Sequence, residues 1–230
     1  MSSIFGTVME YSRKHEDAVE HQIKTAKTED SGPISTMIRS TLKSGHKVYL
    51  TTDWHLWRCD KETKRIFPRS DINTIVNRYN DMVTDDDLVI FLGDLTDGES
   101  EKKKELGEIL DSLHGKRILV RGNNDLFPDS YYENHGFKYV TPKFVYDNIL
   151  FSHMPLSHNN RMNIHGHIHG YKTYWLPYKN HIDVAYLNGR KEPVELQKVI
   201  DAQPGYAKVV KVVPEKFEQY AEAYVDPYED

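Results

Sequence analysis

The chain has one cysteine in 230 residues, Cys59, so no internal disulfide can form and nothing calls for an oxidising compartment. Flanked by Arg58 and Asp60, that thiol has no clear activating neighbour and reads as passive. No apolar stretch approaches the ~20 residues of a membrane-spanning helix. The charged first 30 residues hold no apolar signal-peptide core. A cytoplasmic protein with no membrane partner is the expectation. A basic excess is also missing: 30 Lys and Arg against 35 Asp and Glu give a formal charge of −5, which disfavours a nucleic-acid partner. The most basic run, Lys102, Lys103 and Lys104, is surrounded by Glu99, Glu101 and Glu105, the pattern of a solvated helix face. There is no internal repeat, no low-complexity tract and no nucleophile with an adjacent base.

What is present is an ordinary globular composition, 38% hydrophobic and 28% charged, at a length suited to one sizeable domain with an accessory segment. Residues 8–28 carry an apolar stripe at Val8, Tyr11, Val19, Ile23 and Ala26, which predicts a helix that Ser31-Gly32-Pro33 breaks. Such a helix docks on its own domain, the simpler expectation, or on a second copy to form a homo-oligomer.

From residue 47 the pattern alternates. Short apolar runs at 48–50, 88–92 and 118–120 read as buried strands, and 71–82 and 101–113 have helical spacing, the first with Ser70 or Asp71 as N-cap. Strand, loop, helix, strand is the α/β signature, with functional groups at strand C-terminal ends. Further on, 144–146 and 149–151 around Asp147-Asn148 predict a hairpin. Strands at 182–185 and 206–213, a short helix at 194–200 and a final helix at 214–224 complete the expected elements.

Five blocks follow one another along this frame: Asp53-Trp54-His55, Gly93-Asp94, Gly122-Asn123-Asn124-Asp125, Ser152-His153 and Gly166-His167-Ile168-His169. Divalent ions near phosphate chemistry take mixed oxygen and nitrogen ligands, and two ions want a carboxylate between them. In Asp53-Trp54-His55 the ligands are two apart, which on an extended segment turns both to one side, and His167-Ile168-His169 repeats that spacing. The glycines suit a backbone that bends sharply at a strand end. His165, beside the last block, is expected to support a ligand or face solvent.

In these blocks the sequence resembles the calcineurin-like metallophosphoesterases, over roughly two thirds of the chain. The resemblance implies a two-sheet α/β/β/α sandwich, with residues 1–45 as an N-terminal helical extension and 46–230 as the metallophosphoesterase domain. It implies two divalent ions, manganese ahead of iron, zinc, nickel or cobalt. The first would be held by Asp53, His55, Asp94 and His169, the second by Asp94, Asn123, His153 and His167, with Asp94 bridging. The implied activity is hydrolysis of a small phosphoester, a diester or nucleotide-type molecule, by in-line attack of a bridging hydroxide. Residues 182–184 and 193–195 look like the family's closing strand and helix.

One position departs from the pattern. Many members have histidine where this chain has Asn124, oriented by the following carboxylate, here Asp125, to protonate the leaving oxygen. An asparagine amide cannot act as a general acid. Asp94, Asn124 and Asp125 are therefore the candidate catalytic residues, with His158 or His114 as substitute proton donors or a leaving group that needs none. Trp54, Trp57, Tyr171, Tyr174, Trp175 and Tyr178 are either a base-stacking surface or packing residues. Arg58 and Arg161 are close enough in sequence to the blocks to contact phosphate. Two other functions compete: a non-catalytic metal-bound scaffold, as in the similar retromer subunit that also lacks the histidine, and a nuclease, which the charge disfavours.

Overall fold

The computed structural model describes residues 32–58, 69–97, 100–156, 162–168, 181–187 and 192–201. The helix expected at 8–28 and the elements expected at 206–213 and 214–224 lie outside these. The chain runs α1 (Gly32–Lys43), β1 (Val48–Thr51), α2 (Arg69–Met82) and β2 (Leu88–Phe91). A 3-10 turn (Ser100–Lys102) leads into α3 (Lys103–Asp111), then β3 (Lys116–Val120), α4 (Asp129–Asn134) and β4 (Phe137–Thr141). β5 (Lys143–Tyr146), β6 (Ile149–Ser152), β7 (Met162–His165), β8 (His181–Asp183), α5 (Val184–Leu187), β9 (Val194–Glu195) and α6 (Leu196–Asp201) follow.

Two sheets flanked by helices result, as the resemblance implies. The first has the order β4-β3-β2-β1-β9, parallel except for β9, and the second β5-β6-β7-β8, parallel except for β5. The apolar runs were readable as buried strands because the first sheet is covered on both faces. Val48, Leu50, Leu88, Ile90, Leu92, Ile118 and Val120 point between the sheets, where Phe144, Phe151, Ile164 and Ile182 meet them. The alternate residues Tyr49, Val89, Phe91 and Leu119 point the other way, onto Ile72, Tyr79, Leu106, Leu110 and Tyr132 of the helices.

The hairpin is present with Tyr146 opposite Ile149. Asp147 and Asn148 both have positive φ (48° and 63°), as a two-residue type I′ turn requires. Other expectations shift. Gly32-Pro33, expected as part of a break, starts α1, since proline suits the first helical turn. Ile34 and Ile38 of α1 enter the core between the sheets. α2 begins at Arg69, which puts Ser70 and Asp71 inside its first turn instead of at the cap. The strand at 182–185 ends at Asp183, and the helix expected from Val194 begins at Leu196 because Val194 and Glu195 pair antiparallel with β1. Trp54 and Trp57 are packing residues, 1% and 3% exposed; Trp54 lies edge-on to Tyr79 and Phe91. The four other aromatics lie outside the described residues, within which no helix is long and apolar enough to cross a membrane.

At the opposite end of the first sheet from the strand C-termini, Asp87 ties three strands together. Its carboxylate accepts the N–H of Lys47 (2.7 Å) and both the N–H and hydroxyl of Thr84 (2.9 and 2.8 Å), while its carbonyl accepts from Lys116. Burial opposes its charge, but the Thr84 and Lys47 hydrogen bonds outweigh that and hold its pKa below the ordinary carboxylate value. Asp87→Ala should therefore destabilise the protein by about 1–2 kcal/mol at neutral pH, the usual size of lost hydrogen bonds to a charged group whose donors, on exposed Lys47 and Thr84, stay near water. The contribution of a lowered carboxylate is complete above its unfolded pKa of about 4 and fades as pH falls through the folded value. Urea denaturation at pH 7 and at pH 3 should show the gap between wild type and variant narrowing in acid.

Candidate metal centre

The blocks leave the C-terminal ends of parallel strands in both sheets: Asp53 and His55 after β1, Asp94 after β2, Asn123 after β3, His153 after β6 and His167 after β7. The first two loops run side by side. Asp53 N–H donates to the Gly93 carbonyl, His55 N–H to that of Asp94 and Leu56 N–H to that of Leu95, at 2.9–3.0 Å.

Convergence is achieved by backbone turns, not by the strand alternation expected from the Asp-x-His spacing. Asp53, His55, Asp94 and His167 all have φ in the left-handed region, at 53°, 43°, 55° and 71°. Each such non-glycine residue costs about 1 kcal/mol or more and persists where surrounding structure dictates it. Here His167 N–H donates to Asp53 Oδ2 (3.0 Å), and Asp94 N–H donates to Asp125 Oδ2 (2.9 Å). Sharp bending accounts for Gly93 (φ 93°), whereas Gly122 and Gly166 answer to close approach. A Cβ on Gly122 would collide with the Asp94 carboxylate, and one on Gly166 with Thr52 and Asp53.

Two groups of ligand-type side chains share one carboxylate. Asp53, His55 and Asp94 form the first, and Asp94, His153 and His167 the second; within each, one ligand atom per residue lies within 4.8 Å of the others. Asp94 Oδ2 is 3.5 Å from His55 Nε2 and 3.3 Å from His153 Nε2. Asn123 Oδ1 and His167 Nδ1 each come within 3.1 Å of His153 Nε2. His169 lies outside the described residues.

The donor set fits divalent ions. His153 Nδ1 faces the Leu92 carbonyl at 2.6 Å and His55 Nδ1 faces Asp97 Oδ1 at 2.6 Å. Each acceptor holds a ring proton on Nδ1, so that Nε2, 3.3–3.5 Å from Asp94 Oδ2, is the nitrogen left to bind either a second proton or a cation. Nδ1 of His167 and Oδ1 of Asn123 both meet Nε2 of His153 at 3.1 Å, an arrangement that a shared proton or a cation would satisfy. Burial disfavours charge on His153, yet Asp94 overcomes it and raises its pKa to about 10. Burial likewise opposes charge on His55, but Asp53, Asp97 and Asp94 raise it to about 9. Asp94 is held down at about 2, against the effect of burial, by His153 and His55.

The Asn124 side chain donates from Nδ2 to Asp94 Oδ2 (2.8 Å), and its backbone N–H donates to Asp94 Oδ1 (3.0 Å). Asp125 lies behind, fully buried, accepting the N–H groups of Asp94, Leu95 and Gly122 at 2.9–3.0 Å. Its carboxylate holds backbone, so it is a positioning group here. Burial and then the Asp94 charge push it up to about 6.

His114 is exposed, just before β3, at the sheet end away from these blocks, and its Nδ1 faces the Val83 carbonyl; it is no substitute proton donor. His158 and Arg161 lie outside the described residues. Arg58 is half-buried, its N–H donating to the His55 carbonyl. His165 is not a solvent group. It is fully buried, and burial, reinforced by His181, lowers its pKa to about 4. Sequence reasoning missed Asp97, which orients His55, and Thr52, whose hydroxyl donates to Asp53 Oδ2 at 2.6 Å. A signal for Asp97 was present in the second carboxylate three residues beyond Asp94.

The family model for calcineurin-like phosphoesterases matches residues 46–216. MJ1445, an uncharacterised protein of Methanocaldococcus jannaschii, is 28% identical over 172 residues, which span 70% of this chain and 87% of that protein. Among solved structures, AQ665 from Aquifex aeolicus, a protein of unknown function, is similar in fold with a TM-score of 0.50 at 20% identity, covering 67% of this chain and 98% of its own. Nuclease MPE from Pseudomonas putida gives a TM-score of 0.42 at 18% identity, over 53% of this chain and 61% of its own. A family match that runs through β1 to β9 and takes in all five blocks makes one assignment: the chain belongs to the calcineurin-like phosphoesterases.

Proposed function

We propose that the protein is a dinuclear-metal phosphoesterase that hydrolyses a phosphodiester or nucleotide-type small molecule. The observation that carries this reading is the sharing of Asp94 between two groups of ligand-type side chains. Asp53, His55 and Asp94, joined by His169 from the sequence, would hold one ion. Asp94, Asn123, His153 and His167 would hold the other. Bound ions of this kind acidify a water molecule and neutralise charge on phosphoryl oxygens.

The chain's own residues do the rest. Asp97 and the Leu92 carbonyl fix the tautomers of His55 and His153, and the Asn124 amide donates to Asp94. Asn123 supplies a neutral oxygen, which limits negative charge near the second ion and favours an anionic substrate. With asparagine at position 124 no imidazole stands there to protonate a leaving oxygen. Diesters with stabilised leaving groups therefore lose least, which supports them over alkyl monoesters.

The test is a panel of phosphomonoesters, diesters, nucleotides and a single-stranded oligonucleotide, assayed with Mn²⁺. Turnover of aryl or nucleotide diesters ahead of alkyl monoesters is the expected result. Preference for the oligonucleotide would support a nuclease, and no turnover by metal-loaded protein would support the scaffold.

A further inference from the structure

We infer that Arg121, which touches none of the ligand-type side chains, is a positioning residue that sets the second ion's affinity through the loop carrying Asn123. The inference rests on the two-ion reading above. Arg121 directly follows β3 and opens the loop that ends at Asp129, the first residue of α4. Its guanidinium folds back over that loop. Nη1 donates to the Asp125 carbonyl (2.6 Å), Nη2 to the Phe127 carbonyl, and Nε to Asp129 Oδ1 (2.8 Å). Asp129 Oδ1 also lies 2.6 Å from Nη2, and the cation sits 5.6 Å from the centre of the Tyr132 ring. One side chain thus holds the loop's two inner carbonyls and its far end, a geometry suited to the planar fork of arginine.

Inside the loop so closed lie Asn123, facing His153, Asn124, bonded to Asp94, and Asp125, holding the Asp94 backbone. The two ion sites depend on this loop unequally. Asp53 and His55 come from the loop after β1, which is zipped to residues 93–95 and is linked to the Arg121 loop at one remove, through Asn124 and Asp125 holding Asp94 and Leu95. Of the residues assigned above to the two ions, Asn123, assigned to the second, is the one carried by the Arg121 loop. Loss of the clamp should therefore weaken the second site, which takes Asn123 from the loop, more than the first, which meets the loop through the shared Asp94, whereas loss of a general stabilising contact would weaken both alike.

Mn²⁺ titration of the full chain, followed calorimetrically and by electron paramagnetic resonance, distinguishes these cases. Arg121→Met should weaken the second site about 10-fold, in the range for groups that orient a ligand, and the first by distinctly less. Arg121→Lys, which can keep the Asp129 contact and one carbonyl, should recover part of the loss. Equal weakening of both sites, or no change in either, would overturn the inference while leaving the two-ion reading intact. Wild type that takes up no Mn²⁺ would overturn both. If Arg121→Met does not fold, Asp129→Ala alters an exposed carboxylate and should give the same unequal loss at smaller size; two unchanged sites in that variant would likewise overturn the inference.

Discussion

Asp94→Asn should lower turnover by at least about 10²–10³-fold while leaving a folded protein. Several kcal/mol of charge stabilisation is the usual contribution of a metal ion to such chemistry, and each 1.4 kcal/mol is tenfold in rate. Asp94 is the one carboxylate common to both groups of ligand-type side chains, so the substitution weakens both sites. Two opposing effects protect the fold. The variant loses attraction to His55 and His153, and it relieves the repulsion that Asp94 exerts on buried Asp125. The amide keeps the size of the carboxylate beside Gly122, where there is no spare room. Steady-state kinetics with Mn²⁺, paired with a thermal melt of metal-free protein, checks both halves. An active variant would mean that Asp94 bridges nothing.

The second large effect is expected at Asn124. Hydrolysis by the wild type should fall steeply as the leaving-group pKa rises, because nothing at position 124 neutralises charge on the departing oxygen. Asn124→His should flatten that slope and help poor leaving groups most. General acid catalysis typically contributes about 10²–10⁴-fold. The lower end is expected here, since Asp125 spends its carboxylate on three backbone N–H groups and is not free to orient an imidazole. The substitution also removes the amide bond to Asp94, so Mn²⁺ must be saturating in each assay. A series of aryl diesters of graded leaving-group pKa gives the two slopes. Equal slopes would show that another residue already donates the proton.

How much could be read in advance depended on the kind of constraint at each residue. β1, β2 and β3 were legible because burial on both faces leaves continuous apolar runs such as Leu88-Val89-Ile90-Phe91. The hairpin was legible because Asp147-Asn148 tolerates the backbone its turn needs. α1 was missed because Gly32-Pro33 reads as a breaker, and only packing of Ile34 and Ile38 between the sheets shows it to be a start. In the site, the identity of the ligand-type residues was legible and their supports were not. Nothing local places Asp97 2.6 Å from His55, or turns Arg121 back over residues 125–129. The left-handed backbone at Asp53, His55, Asp94 and His167 is likewise imposed by neighbouring loops, so the strand alternation expected for Asp53 and His55 is replaced by turns that local sequence does not announce.

The central claim is a pair of ions sharing Asp94, and anomalous diffraction from crystals grown with Mn²⁺ tests it most directly. The account predicts two Mn²⁺ peaks about 3.5–4 Å apart, the usual spacing of two-metal phosphoesterase centres, with the Asp94 carboxylate between them and Asn123 beside the second. A single peak at saturating Mn²⁺, or two peaks with Asp94 turned away from either, would contradict it.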